Sequence, residues 1–153
     1  MLCLNGLDRL IKQAVEIFGK IDILVNSAGT HTSNVDFWTV SEEEYDRVLN
    51  TNLKGCYFMS RAVAKYMKNN NINGHILNIG SSVALEPAWS PYRISKLGLE
   101  GMTKGLAKVL LPYNIIVNCI SPDTVATRLN NYIPGNNINT MNNLIGRMVL
   151  PQE

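Results

Sequence analysis

The stretch Ile21-Asp22-Ile23-Leu24-Val25-Asn26 decides the fold, because it is a short apolar run rich in branched residues that ends in the turn-forming Ser27-Ala28-Gly29. Runs of this kind are typical of strands that are buried on both faces of a parallel sheet. Two later runs have the same character, at residues 75–80 (His-Ile-Leu-Asn-Ile-Gly) and 115–120 (Ile-Ile-Val-Asn-Cys-Ile). We therefore expect three buried strands.

Helical patterns surround these runs, over residues 7–18, 42–68 and 91–111. Gly19 stands where the first helix would end. Ser41 and Glu44 form a capping-box signature, and the periodicity after them is long enough for two consecutive helices or one bent helix. Ser90 as the N-cap and Pro91 as the first helical residue begin the last helix.

The alternation of helices and buried strands predicts an α/β fold, a doubly wound parallel sheet with helices on both faces. The length of 153 residues, of which 46% are hydrophobic, fits a single domain over residues 1–153. Ligands of such sheets bind at the carboxyl ends of the strands. Small, polar residues follow all three predicted strands, at 26–29, 80–82 and 121–124.

Composition excludes several classes of function. A net charge of +2 with interleaved acids and bases argues against nucleic acid as a partner. Cys3, Cys56 and Cys119 lie far apart, and His31 and His75 form no ligand pair, so we expect neither a disulfide framework nor a metal site. No apolar stretch reaches membrane-spanning length and the first residues do not resemble a signal peptide, so we expect a cytoplasmic protein with no membrane partner.

The helix that begins at Pro91 carries Tyr92 and Lys96 four residues apart, and side chains at that separation are neighbours on one helical face. An ammonium beside a phenol favours the ionised phenol, so the pair suits acid–base chemistry. A lysine that merely packs along a tyrosine ring would give the same spacing.

Five motifs in the same order make the chain similar to the short-chain dehydrogenase/reductase family over nearly its whole length. They are Asn26-Ser27-Ala28-Gly29, Asn52 in Asn50-Thr51-Asn52-Leu53-Lys54-Gly55, Ser81 after Leu77-Asn78-Ile79-Gly80, the pair Tyr92 and Lys96, and residues 122–127 with Pro122, Val125 and Thr127. The resemblance implies a partial Rossmann-type fold and an oxidoreductase that moves a hydride between NAD or NADP and a secondary alcohol or ketone.

The resemblance also implies a role for each matching residue. Tyr92 would be the acid/base, Ser81 a hydrogen-bond donor to the substrate oxygen, and Lys96 the cation that lowers the pKa of Tyr92 while binding the cofactor ribose. Asn52 would hold a water through its backbone at a helix kink. Cofactor contacts would come from the Tyr–Lys pair and from residues near the strand ends, namely Asn26, Ala28, Gly29, Pro122, Val125 and Thr127.

Some assignments have alternatives. Ser82 competes with Ser81, and Asn52 could merely cap or kink its helix. Trp89, His31 and Thr32 could line the substrate pocket. Three glycines follow Lys96 inside a helix rather than between a strand and a helix, so close helix packing explains them better than a dinucleotide fingerprint, namely Gly98, Gly101 and Gly105. In the family this helix and the long one before it form the subunit interface, so the resemblance implies a homo-oligomer for the full-length protein.

The chain departs from the family pattern in two respects. It lacks the family's first strand, glycine-rich phosphate turn and second strand, and also the family's last helix and strand, so we expect a truncated central portion of the fold. Because cofactor phosphates would rest on the turn and helix start, we expect this chain alone to bind either dinucleotide weakly or not at all. The second departure is Asp123, which stands where the family has glycine.

Two functions remain open from the sequence. The set Asn52, Ser81, Tyr92 and Lys96 favours a catalytic protein acting on a small carbonyl or alcohol substrate. The missing phosphate turn favours a catalytically inactive piece of the fold that serves only structure or assembly.

Overall fold

Three parallel strands form one sheet in the computed structural model, which describes residues 6–33, 35–140 and 145–153. The strands are β1 (Ile23–Asn26), β2 (His75–Ile79) and β3 (Ile116–Ile120), side by side in that order. The register pairs Val25 with Leu77 and Leu77 with Asn118. The three predicted strands are thus confirmed, and their carboxyl ends meet at one edge of the sheet.

Four α-helices connect and flank the strands, α1 (Leu7–Phe18), α2 (Glu42–Leu49), α3 (Cys56–Asn69) and α4 (Pro91–Leu110). Helix α1 ends as predicted because Gly19 adopts a φ of 82° and its N–H donates to the Val15 carbonyl at 2.8 Å. The Ser90 hydroxyl caps α4 by accepting the Arg93 N–H at 3.3 Å.

The predicted 42–68 segment is one bent helix rather than two separate ones. Helix α2 starts at its predicted cap, where the Ser41 hydroxyl accepts the Glu44 N–H at 3.1 Å. Residues Asn50–Gly55 then form a π-helical turn that leads directly into α3. Turns of this type insert an extra residue into a helix and are frequent at functional sites.

The hydrophobic core lies on one face of the sheet. Its buried members come from α3, β2, β3 and the residue before β3, namely Val63, Ala64, Met67, Ile76, Ile115 and Val117. Residues Ile11 of α1 and Leu106 of α4 pack against the same cluster. All three helices therefore cover this face.

The opposite face of the sheet corrects the expected burial of β1. Ile23 is 62% exposed and Val25 is 51% exposed, so β1 is not buried on both faces. On the same face of β3, Ile116 and Ile120 are also exposed. Within the described ranges the core helices pack on the other side of the sheet.

The segment after β3 is built from turns. A short 3₁₀ turn covers Arg128–Asn130, and isolated bridges pair Val125 with Val149 and Asn139 with Arg147. Residues 1–5, which include Cys3, and residues 141–144 lie outside the described residues. Among the residues that are described, no helix is both long and apolar enough to cross a membrane, and no cluster of three metal-ligating side chains occurs.

Candidate active site

Ser81 and Tyr92 meet where the end of β2 faces the start of α4. Ser81 follows β2 in an extended conformation, and its hydroxyl faces the Tyr92 phenol closely enough to lower the pKa of that phenol. Both residues are 9% exposed. The Tyr92 backbone N–H donates to the Thr32 hydroxyl at 3.0 Å, which ties the first turn of α4 to the loop after β1. Both hydroxyls can therefore contact the same oxygen atom of a ligand.

Lys96 lies one turn along α4 from Tyr92, and it is 6% exposed. Its Nζ is 5.7 Å from the centre of the Tyr92 ring and donates to the Ile79 carbonyl at 2.7 Å. Burial lowers the pKa of the Lys96 ammonium, although the nearby thiols of Cys119 and Cys56 act in the opposite direction. An ammonium has three donors, so Lys96 retains donors for a ligand.

The pKa of Tyr92 differs from the expectation. Burial raises the pKa of this phenol, and the facing Ser81 hydroxyl offsets only part of that rise. Lys96 was predicted to lower the pKa, but its ammonium is directed to the Ile79 carbonyl rather than to the phenol oxygen. Tyr92 is accordingly a neutral phenol near neutral pH, which is the form that donates a proton.

Asn52 lies in the π-helical turn, and both polar atoms of its side chain are hydrogen-bonded within the protein. Its Oδ1 accepts the Thr30 N–H at 2.8 Å, while its Nδ2 donates to the Thr30 carbonyl at 2.9 Å and to the Ser95 hydroxyl at 3.0 Å. Ser95 in turn donates to the Tyr92 carbonyl at 2.7 Å. Asn52 therefore holds the loop after β1 against the helix turn that carries Tyr92.

The Asn26 side chain turns inward, away from the strand-end surface. It donates to the Asn78 Oδ1 at 2.9 Å and to the Ser60 hydroxyl at 3.0 Å. Asn78 also accepts from Cys56 and donates to the Thr103 hydroxyl at 2.8 Å. We call these five side chains the buried polar cluster. It joins β1 and β2 to α3 and α4 and leaves only the backbone of Asn26 for a ligand.

Ser82, the alternative to Ser81, is hydrogen-bonded to Asp123, the residue that departs from the family pattern. The Ser82 hydroxyl donates to Asp123 Oδ1 at 3.3 Å, and the same oxygen accepts the Thr124 N–H at 2.7 Å. Ser82 thus points to the loop after β3 while Ser81 contacts Tyr92. The geometry favours Ser81 over Ser82 as the partner of the phenol.

The remaining residues of that loop, Pro122, Val125 and Thr127, are half-buried. The Val125 carbonyl accepts from the Asn130 side chain at 2.7 Å, and the Thr127 carbonyl accepts the Tyr132 N–H at 3.0 Å. These bonds fix the path of the loop beside the end of β3.

Two glycines permit close approach at the strand ends. A Cβ at Gly29 would lie 3.6 Å from Asn52 Oδ1 and 3.9 Å from Lys96 Nζ. A Cβ at Gly80 would lie 2.6 Å from the Ser121 hydroxyl and 2.7 Å from the Cys119 sulfur, which is too close for an unmoved neighbour. The open backbone at Gly29 beside the donors of Lys96 fits a dinucleotide ribose.

Of the three α4 glycines for which a packing role was predicted, one packs closely against a described neighbour. A Cβ at Gly98 would lie 2.9 Å from Leu53 Cδ2, so the glycine lets α4 approach the π-helical turn. Gly101 and Gly105 meet no described neighbour within 4 Å.

Two cavities adjoin the Ser81–Tyr92 pair. One of about 510 Å³ is lined by Ser81, Tyr92 and Asp123, among others. The other, of about 650 Å³, is lined by Thr32 and Trp89. His31 lines both cavities. All three residues predicted to border a substrate pocket therefore lie beside the candidate site.

Sequence reasoning did not identify Ser95 or Asn78 as supports of this site. Ser95 lies between Tyr92 and Lys96 in the chain, so its place on the helix offered a signal. Asn78 offered another, because an asparagine within an apolar strand must find buried partners.

Comparisons with known proteins identify the family of the chain. The family model described as short chain dehydrogenase matches residues 4–137. A 3-oxoacyl-(acyl-carrier-protein) reductase of Thermotoga maritima is 37% identical over 138 residues, which cover 86% of this chain and 55% of the relative.

Two solved structures have the same fold. A xylitol dehydrogenase solved with NAD+ bound gives a TM-score of 0.75 at 31% identity, covering 81% of this chain and 48% of that one. The protein ElxO, solved with NADP bound, gives 0.76 at 28% identity, covering 84% and 52%. The chain spans about half the length of the curated relatives it matches.

Proposed function

The chain belongs to the short chain dehydrogenase family, and from that premise we propose that it carries the catalytic centre of an NAD- or NADP-dependent oxidoreductase that interconverts a secondary alcohol and a ketone. The observation that carries the proposal is that Ser81 and Tyr92 line one cavity, with Lys96 one helical turn away from Tyr92. Asn52, Ser81, Tyr92 and Lys96 are its proposed catalytic set.

The cofactor would lie along the strand ends. We propose contacts from the backbone of Asn26, Ala28 and Gly29, and from Tyr92 and Lys96. The loop residues Pro122, Val125 and Thr127 would contact the nicotinamide end. When bound, the nicotinamide supplies the hydride for reduction or accepts it in oxidation.

The protein's own part in reduction is to bind the carbonyl oxygen and protonate it. The Ser81 and Tyr92 hydroxyls donate hydrogen bonds to this oxygen, where negative charge develops in the transition state. Tyr92 then delivers its proton to the oxygen. Lys96 would hold the cofactor ribose through its remaining donors, and Asn52 keeps the helix turn and the β1 loop in register.

Turnover and its pH dependence test this function. With NADH or NADPH at millimolar concentration, which offsets the weak cofactor binding expected of this chain, we expect it to reduce small ketones near neutral pH. Alcohol oxidation requires tyrosinate, and because burial raises the pKa of Tyr92, its rate is expected to climb as pH increases from neutral to alkaline. Absorbance of the reduced nicotinamide measures both directions.

Two outcomes would contradict the proposal. An oxidation rate that falls with increasing pH would exclude Tyr92 as the base. Complete absence of turnover with either cofactor would favour the alternative of an inactive assembly module, for which the exposed face at Ile23 and Val25 is the supporting observation. A cytoplasmic location remains a prediction from the sequence.

We also propose that α3 and α4 pair with a second copy of this chain. An apolar groove of about 540 Å³ runs between the π-helical turn and α4, lined by residues that include Leu53, Tyr57, Phe58, Gly98 and Met102. The family resemblance implies an interface at these helices.

Gly101→Arg tests the interface, because a side chain at Gly101 meets no described neighbour within 4 Å. Sedimentation is expected to show an oligomer for the unmodified chain and a monomer for the variant. Gln13→Arg, on an exposed position of α1, adds the same charge elsewhere and should leave the oligomer intact. A monomeric unmodified chain, or an oligomeric Gly101→Arg variant, would contradict the proposal.

A further inference from the structure

The imidazole of His31 is stacked on the phenol of Tyr92. The ring centroids are 4.2 Å apart and the ring planes differ by 23°. Stacking at this distance holds His31 beside the position of the reacting oxygen. No step proposed above uses this imidazole.

One hydrogen bond orients the His31 ring. Nδ1 lies 3.1 Å from the Thr32 carbonyl, and because a carbonyl oxygen can only accept, Nδ1 carries the hydrogen in the neutral ring. Nε2 then presents a lone pair and acts as an acceptor. In the described part of the chain no donor is bonded to this nitrogen. A substrate hydroxyl is the simplest partner for it.

The two cavities beside the site share polar walls. His31, Ser90, Arg93 and Asn130 line both of them, so the cavities adjoin along these four residues. Hydroxyl, amide and guanidinium groups favour a ligand that can exchange several hydrogen bonds. A long alkyl chain would offer these groups no hydrogen bond.

The charges of the walls argue against an anionic ligand. Arg93 is the cation that both cavities share, and its guanidinium is already paired with the Glu86 carboxylate. Asp123 adds a second carboxylate to the smaller cavity. Glu86 and Asp123 line only the smaller cavity, which thus carries two carboxylates against the one guanidinium of Arg93. A ligand carboxylate in that cavity would therefore meet net repulsion.

We propose that the substrate is an uncharged, hydroxyl-rich alcohol or ketone, such as a polyol or ketose, and that the hydroxyl next to its reacting carbon donates a hydrogen bond to His31 Nε2. The inference rests on the proposed function, because it assigns the substrate class of the same site. His31 would be a specificity residue. It would recognise the substrate without taking part in proton transfer.

A matched set of four-carbon substrates tests this proposal. 2,3-Butanediol and 2-butanol differ by the one hydroxyl that His31 would bind, and 3-hydroxybutyrate adds a negative charge. His31→Phe keeps a ring for stacking but removes the acceptor. We expect kcat/KM for the diol to fall about tenfold in the variant, and that for 2-butanol to change less than about twofold.

Kinetic results would overturn the proposal in two ways. An equal loss for the diol and 2-butanol would mean that His31 only positions Tyr92. A higher kcat/KM for 3-hydroxybutyrate than for the diol in the unmodified chain would exclude an uncharged substrate class.

A second readout does not depend on turnover. The chain has two histidines, so the Nε2 resonance that disappears in His31→Phe identifies His31, and His75 serves as an internal reference. In the cofactor-free chain, nitrogen NMR is expected to show a His31 Nε2 signal that shifts with 2,3-butanediol but not with 2-butanol. If no alcohol is oxidised, the proposed function fails, while an unmoved Nε2 signal overturns the His31 proposal independently.

Discussion

Replacing Tyr92 by phenylalanine is expected to lower kcat for ketone reduction by about 10²–10⁴-fold, the range typical of losing a positioned proton donor. The ring, its stacking on His31 and its packing remain, so only the hydroxyl is lost. Ser81 would still contact the carbonyl oxygen, but no group beside it could supply the proton. The measurement is single-turnover oxidation of the reduced cofactor.

A titration provides a second measurement for the same variant. Because burial raises the pKa of Tyr92, its phenol should ionise late in an ultraviolet titration of the cofactor-free chain, and this late component should vanish in Tyr92→Phe. Tyr45→Phe is the matched control, since that side chain is exposed on α2 and its loss should leave turnover unchanged. Reduction by Tyr92→Phe within tenfold of the unmodified rate would exclude Tyr92 as the proton donor.

The second large effect is expected at Asn78, the centre of the buried polar cluster. Asn78 is fully buried and bonds with Asn26, Cys56 and Thr103, which belong to three different elements. Asn78→Ala removes these bonds and leaves buried polar groups unsatisfied. We expect the free energy of unfolding to fall by about 3 kcal/mol, measured by urea denaturation.

Asn118→Ala is the control for this experiment, because Asn118 pairs with Leu77 in the neighbouring strand but its side chain is exposed. Its expected cost is less than about 0.5 kcal/mol. Equal losses for the two variants would show that the strand asparagines act through β-propensity rather than through the buried polar cluster.

The strands and helices could be predicted because their signals are local. Apolar runs with branched residues marked β1, β2 and β3, while Ser41, Ser90 and Gly19 marked helix ends through their own backbone bonds. The burial of β1 was predicted wrongly. An apolar run shows what a strand can bury, but which neighbours cover it depends on the packing of distant segments.

In the candidate site, too, local features could be predicted from the sequence, whereas contacts between distant residues could not. The spacing of Tyr92 and Lys96 on one helix was readable, and the resemblance added Ser81. The acceptor of the Lys96 ammonium could not be predicted, because it is the Ile79 carbonyl at the end of another element. The stacking of His31 on Tyr92 likewise joins the loop after β1 to helix α4, and no local sequence pattern indicates such a contact.

The π-helical turn at Asn50–Gly55 restricts how this chain can change in length. Because the turn contains one residue more than an α-helical turn, deleting one residue would convert it to a regular α-helical turn. Asn52 would then lose its alignment with Thr30 and Ser95, and with it the link between the loop after β1 and the helix turn that carries Tyr92. The π-helical turn thus fixes the position of Asn52 relative to its partners. Insertions and deletions here should therefore be far rarer than in the loop after β3.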